Sequence, residues 1–310
     1  MQRKGFSLQE LNGILCIDKP QGFTSFDVVA KMRGIAATRR IGHAGTLDPM
    51  ATGVLPLFFG RATKACDLLP DQDKRYTAIF RLGITTDTLD ITGKVLSEQP
   101  VNAAEAQVRA AAEKFTGEFM QVPPMYSAVQ VNGRRLYDLA REGKEIERAA
   151  RKVCVKKLVF LAADEAAHTY TIDVRCSKGT YIRSLAADIG EALGCGAVLT
   201  ALRRTEAAGF TEAQCVTLDE AQRLAQAGEL SRRCLPVAEA FGGLPQAELS
   251  EKQARMFQNG VRLDRARVNC PDTDGMLAVY GPGKVFLGLA QTEGGEFRMK
   301  KLFILPESAG

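Results

Sequence analysis

Gly42-His43-Ala44-Gly45-Thr46-Leu47-Asp48-Pro49-Met50-Ala51-Thr52-Gly53 is the stretch from which the rest of the chain is read. Three glycines and a proline in these twelve residues predict a loop, yet the loop carries a His, two Thr and an Asp between hydrophobic flanks. Pro49 restricts the residue before it to extended geometry, which holds Asp48 in one orientation. A carboxylate before proline is more often a turn or capping group, and a loop histidine is more often a satisfied hydrogen-bonding residue. The segment alone therefore leaves Asp48 and His43 open.

Outward from this loop the pattern is mixed. Upstream, the apolar run Gly13 to Asp18 reads as a short strand, followed by a turn through Lys19-Pro20-Gln21-Gly22. Thr24 or Ser25 can cap an amphipathic helix over Phe26 to Arg33. Downstream, Val54 to Phe59 is a buried-strand candidate, and Arg75 to Leu82 alternates as a half-buried strand. Ala103 to Phe115 and Ile182 to Leu193 read as helices, Val153 to Leu161 and Thr169 to Cys176 as strands. Ala197 to Leu202 and Leu218 to Ala227 complete the larger part. Asn132-Gly133 signals a tight turn, and the basic stretch Arg134 to Arg148 after it is expected to be helical. Phe241-Gly242-Gly243-Leu244-Pro245 is linker-like. Beyond it come a short helix (Ser250 to Phe257) and short strands at Met276–Tyr280, Val285–Ala290 and Phe297–Leu302. The expected architecture is a mixed α/β domain followed by a small β-rich module.

The chain has 310 residues, which as a prior suggests about two domains. At 45% hydrophobic and 25% charged it has the composition of a globular protein, which excludes disorder and collagen-like repeats. No apolar run approaches the ~18–20 residues of a membrane span. Arg3 and Lys4 precede only the apolar stretch Ile14 to Ile17, too short for a signal-peptide core, so a cytoplasmic location is expected. The cysteines at 16, 66, 154, 176, 195, 215, 234 and 270 form no Cys-x-x-Cys, and only His43 and His168 exist to supplement them. Single reduced thiols are expected, not a zinc site or a disulfide framework.

Phosphate-loop and serine-hydrolase motifs are absent. With so few histidines, a lone carboxylate is the leading candidate for covalent or electrostatic catalysis. Charge points to a partner. Between Val131 and Phe160, nine Lys/Arg stand against four acids, a local +5 that equals the whole chain's net charge. Such an excess is the footprint of a polyanion partner, although Glu142, Glu145 and Arg148 can also make pairs at helical spacing on a solvated face.

The chain closely resembles the TruB-type tRNA pseudouridine-55 synthases over nearly its whole length. The loop signature Gly42-His43-x-Gly45-Thr46-Leu47-Asp48-Pro49-x-Ala51-Thr52-Gly53-Val54-Leu55 is highly specific. Further blocks agree in order and spacing: Asp18-Lys19-Pro20-x-Gly22-x-Thr24-Ser25, Gly60-Arg61-Ala62-Thr63-Lys64, Lys74-x-Tyr76 and Pro123-Pro124-x-Tyr126-Ser127-Ala128. Gly133-x-Arg135-Leu136-Tyr137, Lys178-Gly179-Thr180-Tyr181-Ile182-Arg183-Ser184-Leu185 and Leu202-Arg203-Arg204-Thr205 follow. One departure is Gln130, where the family pattern usually has Lys, which puts one phosphate contact in doubt.

The resemblance implies a fold and a chemistry. The fold would be an α+β pseudouridine-synthase domain (1–247) on a mixed, mainly antiparallel sheet with flanking helices, followed by a PUA-like β module (248–310). Residues 131–157 would form a basic insertion that grips RNA through Arg134, Arg135, Arg141, Lys144 and Arg148. The reaction would isomerise one uridine in the tRNA T-loop, extruded from its stack at a cost of a few kcal/mol, with no cofactor and no metal. No membrane and no obligate protein partner are implied. Asp48 would be the catalytic carboxylate, with Arg183 orienting it and balancing its charge. Tyr76 would stack on the uracil or help remove the C5 proton, Tyr181 would line the same pocket, and Leu202 would form its apolar wall. His43 would hold the reorganised RNA loop by stacking. Lys64 would touch substrate, and Lys19 would brace the Asp48 loop. Two other classes stay open: a tRNA-binding or folding protein without required catalysis, and a retaining glycoside hydrolase. The last needs a second carboxylate ~5 Å from the first.

Overall fold

The computed structural model describes residues 11–131 and 133–304. The first half of the chain contributes β1 (Gly13–Lys19), α1 (Ser25–Ile35), β2 (Ile41–His43), β3 (Thr52–Phe59), β4 (Lys74–Leu82), β5 (Ile84–Thr86), β6 (Val95–Glu98), α2 (Glu105–Glu113) and β7 (Gly117–Gln121). Then come β8 (Gln130–Val131), β9 (Arg134–Arg135), α3 (Leu136–Arg141), β10 (Arg151–Asp164), β11 (Thr169–Cys176), α4 (Ile182–Ala192), β12 (Ala197–Ala207), β13 (Phe210–Thr211), β14 (Cys215–Val216) and α5 (Leu218–Gln226). The last segment holds β15 (Gln246–Glu248), α6 (Glu251–Gln258), β16 (Leu263–Asp264), β17 (Gly275–Gly281), β18 (Val285–Glu293) and β19 (Glu296–Leu302).

One large sheet runs β14-β1-β3-β12-β4-β11-β10-β7, with β2 beside β3 and β13 beside β12. It is mixed and mainly antiparallel: β14 on β1 and β12 on β3 are its parallel pairings. The apolar runs of β1 and β3 are continuous because both faces are covered. Ile14, Cys16, Val54 and Phe58 enter one core, whereas Leu15, Ile17, Leu55, Leu57 and Phe59 enter another with α1 and α5. On β4, Tyr76, Ala78, Phe80 and Leu82 point into a third core covered by α2 and α4. Its opposite face carries Arg75, which grips Asp173 of β11 with Nε–Oδ1 and Nη2–Oδ2 both at 2.9 Å.

A second sheet, β15-β17-β18-β19-β16, forms the C-terminal β domain. Leu277, Val279, Leu287 and Phe297 pack with Phe257 of α6 in its own core, while Ala278, Leu289 and Phe303 join the core under β1 and β3. No helix among the described residues is long and apolar enough to cross a membrane. All eight cysteines are free thiols.

Two sequence expectations are corrected. The glycine-rich stretch is not loop throughout, because its first residues form β2, with His43 opposite Leu57 of β3. The helix expected over Arg134 to Arg148 exists only as α3. Leu136 and Leu139 are its buried side chains, Gly143 turns the chain with φ +70°, and 144–150 is irregular. A segment whose later residues have no apolar face to bury gains too little from packing to stay helical.

Candidate active site

The loop between β2 and β3 is pinned at several points and leaves Asp48 partly open. Thr24 caps α1 by accepting from Asp27 N at 3.0 Å, which places Ser25 in the first turn beneath the loop. The Ser25 Oγ accepts from Leu47 N at 2.8 Å. Lys19 has no exposed surface, and its Nζ donates to the carbonyls of Pro20 (3.0 Å), Phe23 (2.5 Å) and Pro49 (3.3 Å). Burial pulls its pKa down to about 8 against the opposing pull of the Asp48 carboxylate. Leu47 and Met50 sink into the core that holds Tyr76, Ile182 and Leu202. Between these anchors the Asp48 side chain keeps 36% of its surface open.

Arg183 meets it from the first turn of α4. Gly190 lets that helix lie directly against Gly196 and Ala197, where a Cβ would collide with backbone. The Arg183 side chain is only 4% exposed. Its Nε donates to Asp48 Oδ2 at 2.8 Å, Nη1 to Thr88 O at 2.8 Å and Nη2 to Tyr126 O at 2.7 Å. With all three nitrogens committed, the guanidinium has one place to sit, and Asp48 is held by a charge-assisted bond through one oxygen. Asp90, itself 8% exposed at its side chain, stands 3.9 Å from Arg183 Nε. It accepts from Thr88 Oγ1 (2.9 Å), Thr92 N (3.0 Å) and Thr92 Oγ1 (2.6 Å).

The Asp48 carboxylate acts on two tyrosines, Tyr76 and Tyr181. Burial pushes the Tyr76 phenol up to about 12, with the nearby Arg204 cation acting in the opposite direction. Burial also raises the Tyr181 phenol, and the Asp48 carboxylate acts in the same sense on both. Tyr181 caps α4, and Gln121 grips its backbone twice: Tyr181 N donates to Oε1 at 2.8 Å and Nε2 donates to Tyr181 O at 3.1 Å. Leu202 is 8% exposed and shares the core of Tyr76. Asp48, Tyr76, Tyr181, Arg183 and Leu202 are thus brought together.

The remaining candidates sit on other elements. His43 lines a cavity of about 270 Å³ with Gly45, Lys74 and Lys178. Its Nδ1 is buried without a hydrogen-bond partner among the described residues, and burial followed by the Arg204 charge lowers its pKa. Lys64 is exposed on a 3-10 turn, Gly60–Ala65. In the basic segment Glu142 binds both Arg134 and Lys144, and Arg148 is held by Glu145 (3.5 Å) and Pro123 O (3.2 Å). Arg135 and Arg141 lie over the Tyr137 ring, 5.8 and 5.5 Å from its centre. Gln130 lines the shallow depression between these arginines. Among the described residues no cluster of His, Cys, Asp and Glu has the makings of a metal site.

Two residues of the site escaped the sequence reading, Asp90 and Arg204. The hydroxyl-rich run Thr86-x-Thr88-x-Asp90-x-Thr92 was a usable signal for a fixed carboxylate. Arg204 sits beside Arg203 in one quoted block, and nothing in the sequence distinguishes the buried member of the pair.

Known proteins resemble this chain throughout. Residues 33–182 match the family model described as TruB family pseudouridylate synthase (N terminal domain). Residues 183–241 match the tRNA pseudouridylate synthase B C-terminal domain, and 245–303 match Pseudouridine synthase II TruB, C-terminal. A tRNA pseudouridine synthase B of Ralstonia nicotianae is 44% identical over 300 residues, covering 95% of each chain. One from Haemophilus influenzae is 39% identical, covering 97% of this chain and 98% of its own. Among solved structures, a chain of a Cbf5-Nop10-Gar1 complex superposes with TM-score 0.74 at 25% identity, covering 95% of this chain and 86% of its own.

Proposed function

The chain belongs to the TruB family of tRNA pseudouridine synthases, and we propose that it isomerises uridine 55 in the T-loop of tRNA without a cofactor, with Asp48 as the catalytic carboxylate. In this reaction the N1–C1′ bond breaks and C5 bonds to C1′, while C5 loses a proton and N1 gains one. Atoms and electrons balance within the nucleoside, so the protein has to supply only extrusion, positioning and charge.

The observation that carries the reading is the Asp48–Arg183 pair: a 2.8 Å bond from a guanidinium fixed by two carbonyls to a carboxylate whose other oxygen has no hydrogen-bond partner among the described residues. That oxygen either adds to the nucleoside or balances positive charge developing at C1′. Tyr76 stacks on the extruded uracil and accepts or relays the C5 proton, Tyr181 packs beside it, and Leu202 closes the apolar wall. His43 fills the place the base vacates, and Lys64 touches the RNA. Residues 1–247 are the catalytic domain, residues 131–157 its RNA-gripping arm, and residues 248–310 an RNA-binding module. The chain acts in the cytoplasm on the T-arm, without a protein partner. A protein that only bound or refolded tRNA would not need a carboxylate held this way.

The test is mass-spectrometric mapping of pseudouridine in unmodified tRNA incubated with the protein alone. Pseudouridine at position 55 is expected; none there, or formation only at another uridine, refutes the reading.

A further inference from the structure

Arg204 is fully buried and forms no ion pair among the described residues. It has no exposed surface, and among the described residues no carboxylate lies within ion-pair distance of its guanidinium. An arginine desolvated this way is strongly destabilising unless its donors are satisfied. Three of them are met by backbone carbonyls: Nε donates to Val54 O at 2.8 Å, Nη2 to Gly45 O at 2.9 Å and Nη1 to Thr46 O at 3.4 Å. Gly45 and Thr46 lie just before Asp48 in the loop that presents it.

The chain around Arg204 is cut to fit. On β12 it stands directly opposite Tyr76 of β4 and, on its other side, Gly53 of β3. Directly opposed residues of neighbouring strands project to the same face, so the guanidinium and the phenol share one side of the sheet. A Cβ on Gly53 would collide with the Arg204 backbone, and one on Gly45 would come within 3.2 Å of Nη1. A guanidinium has five N–H donors. The carbonyls take three of them, which leaves two on a side chain that shares its face of the sheet with Tyr76.

We propose that Arg204 is a positioning residue for the reaction: it fixes the Gly45–Thr46 backbone that presents Asp48 and, from the facing strand, sets the Tyr76 phenol, so that both groups meet the uridine in one arrangement. Its kinetic consequence rests on the isomerase reading above. Its effect on Tyr76 does not. Besides Arg204, the groups that act on the phenol are the Cys176 thiol of β11 and the Asp48 carboxylate, and neither of these supplies a cation.

The experiment compares the native chain with Arg204→Met and Arg204→Lys, each with and without 3,5-difluorotyrosine at position 76. Single-turnover and steady-state assays use a T-arm stem-loop RNA, and the phenol is titrated by fluorine NMR without RNA. Arg204→Met is expected to lower kcat at least about tenfold while KM stays within about threefold. Its phenol midpoint should rise by about one unit or more. Arg204→Lys keeps the charge and so leaves the midpoint near the native one, but cannot bridge the loop carbonyls and still loses kcat. Folded Arg204→Met with kcat within about twofold of native overturns the proposal. So does lost activity with an unmoved phenol midpoint, since the residue would then serve the fold alone. A native chain inactive on this RNA would defeat the reaction reading, and the titration would still decide the placement of Arg204 against Tyr76.

Discussion

Arg183→Met, combined with Asp90→Asn, tests the electrostatic frame of the site. Arg183 is the cation between Asp48 Oδ2 at 2.8 Å and Asp90 Oδ2 at 3.9 Å, and its side chain is 4% exposed. At an effective dielectric constant near 20, unit charges 3.9 Å apart attract by about 4 kcal/mol before desolvation is counted. Methionine fills similar space but strands the 8%-exposed Asp90 carboxylate and leaves the Thr88 and Tyr126 carbonyls without their donors. Breaking a buried pair on one side costs about 3–5 kcal/mol, and that is the expected loss in Arg183→Met. Asp90→Asn alone is expected to cost about 1–3 kcal/mol. In the double variant the stranded charge is gone, so its loss should fall short of the sum by about 2 kcal/mol. Urea unfolding of the four proteins at constant pH and salt measures this coupling. Single losses that add within about 0.5 kcal/mol would refute the claim that Arg183 is held as the shared counterion.

Asp188 of α4 supplies a pH test. Burial first, and Glu191 second, raise its carboxyl to about 6, above the usual unfolded value near 4. Its contribution is therefore full below about pH 4 and is lost as pH rises through 6, because the folded chain must then carry a poorly solvated charge. Asp188→Asn should match the native chain in unfolding free energy near pH 4 and exceed it by about 2 kcal/mol above pH 7; a difference independent of pH would contradict this. For the arm, neutralising Arg134, Arg135 and Arg141 together should reduce the slope of log affinity against log salt by about 1–2, not the full three, because Glu142 already holds Arg134. An unchanged slope would take the arm out of the RNA interface. Gly53→Ala, at φ +101° and against the Arg204 backbone, should lower unfolding free energy by about 2–5 kcal/mol. A loss under about 1 kcal/mol in denaturant titration would mean that β3 and β12 part more easily than their register implies.

Local signals carried most of the fold. The apolar run of β1 read correctly as a strand and that of β3 as a buried strand, both with faces that meet cores, and the alternation of β4 read correctly as a strand with one polar face. The basic segment misled because charge at helical spacing says nothing about whether an apolar face exists to hold the helix, and here burial stops at Leu139. In the site, the Asp48 loop was legible through its glycines, proline and flanking blocks. Asp90 and Arg204 were not, since each matters through contacts far away in sequence: Asp90 through Arg183, and Arg204 through the Gly45, Thr46 and Val54 carbonyls.

Asp48→Asn bears most directly on the chemistry. The amide keeps the size of the side chain and an oxygen for the Arg183 Nε, and removes only the charge and the nucleophilic oxygen. With enzyme in excess over a T-arm RNA, conversion of uridine to pseudouridine should fall by at least about a thousandfold, while RNA affinity stays within about threefold of native. Conversion at a rate near native would contradict the account, whatever the affinity.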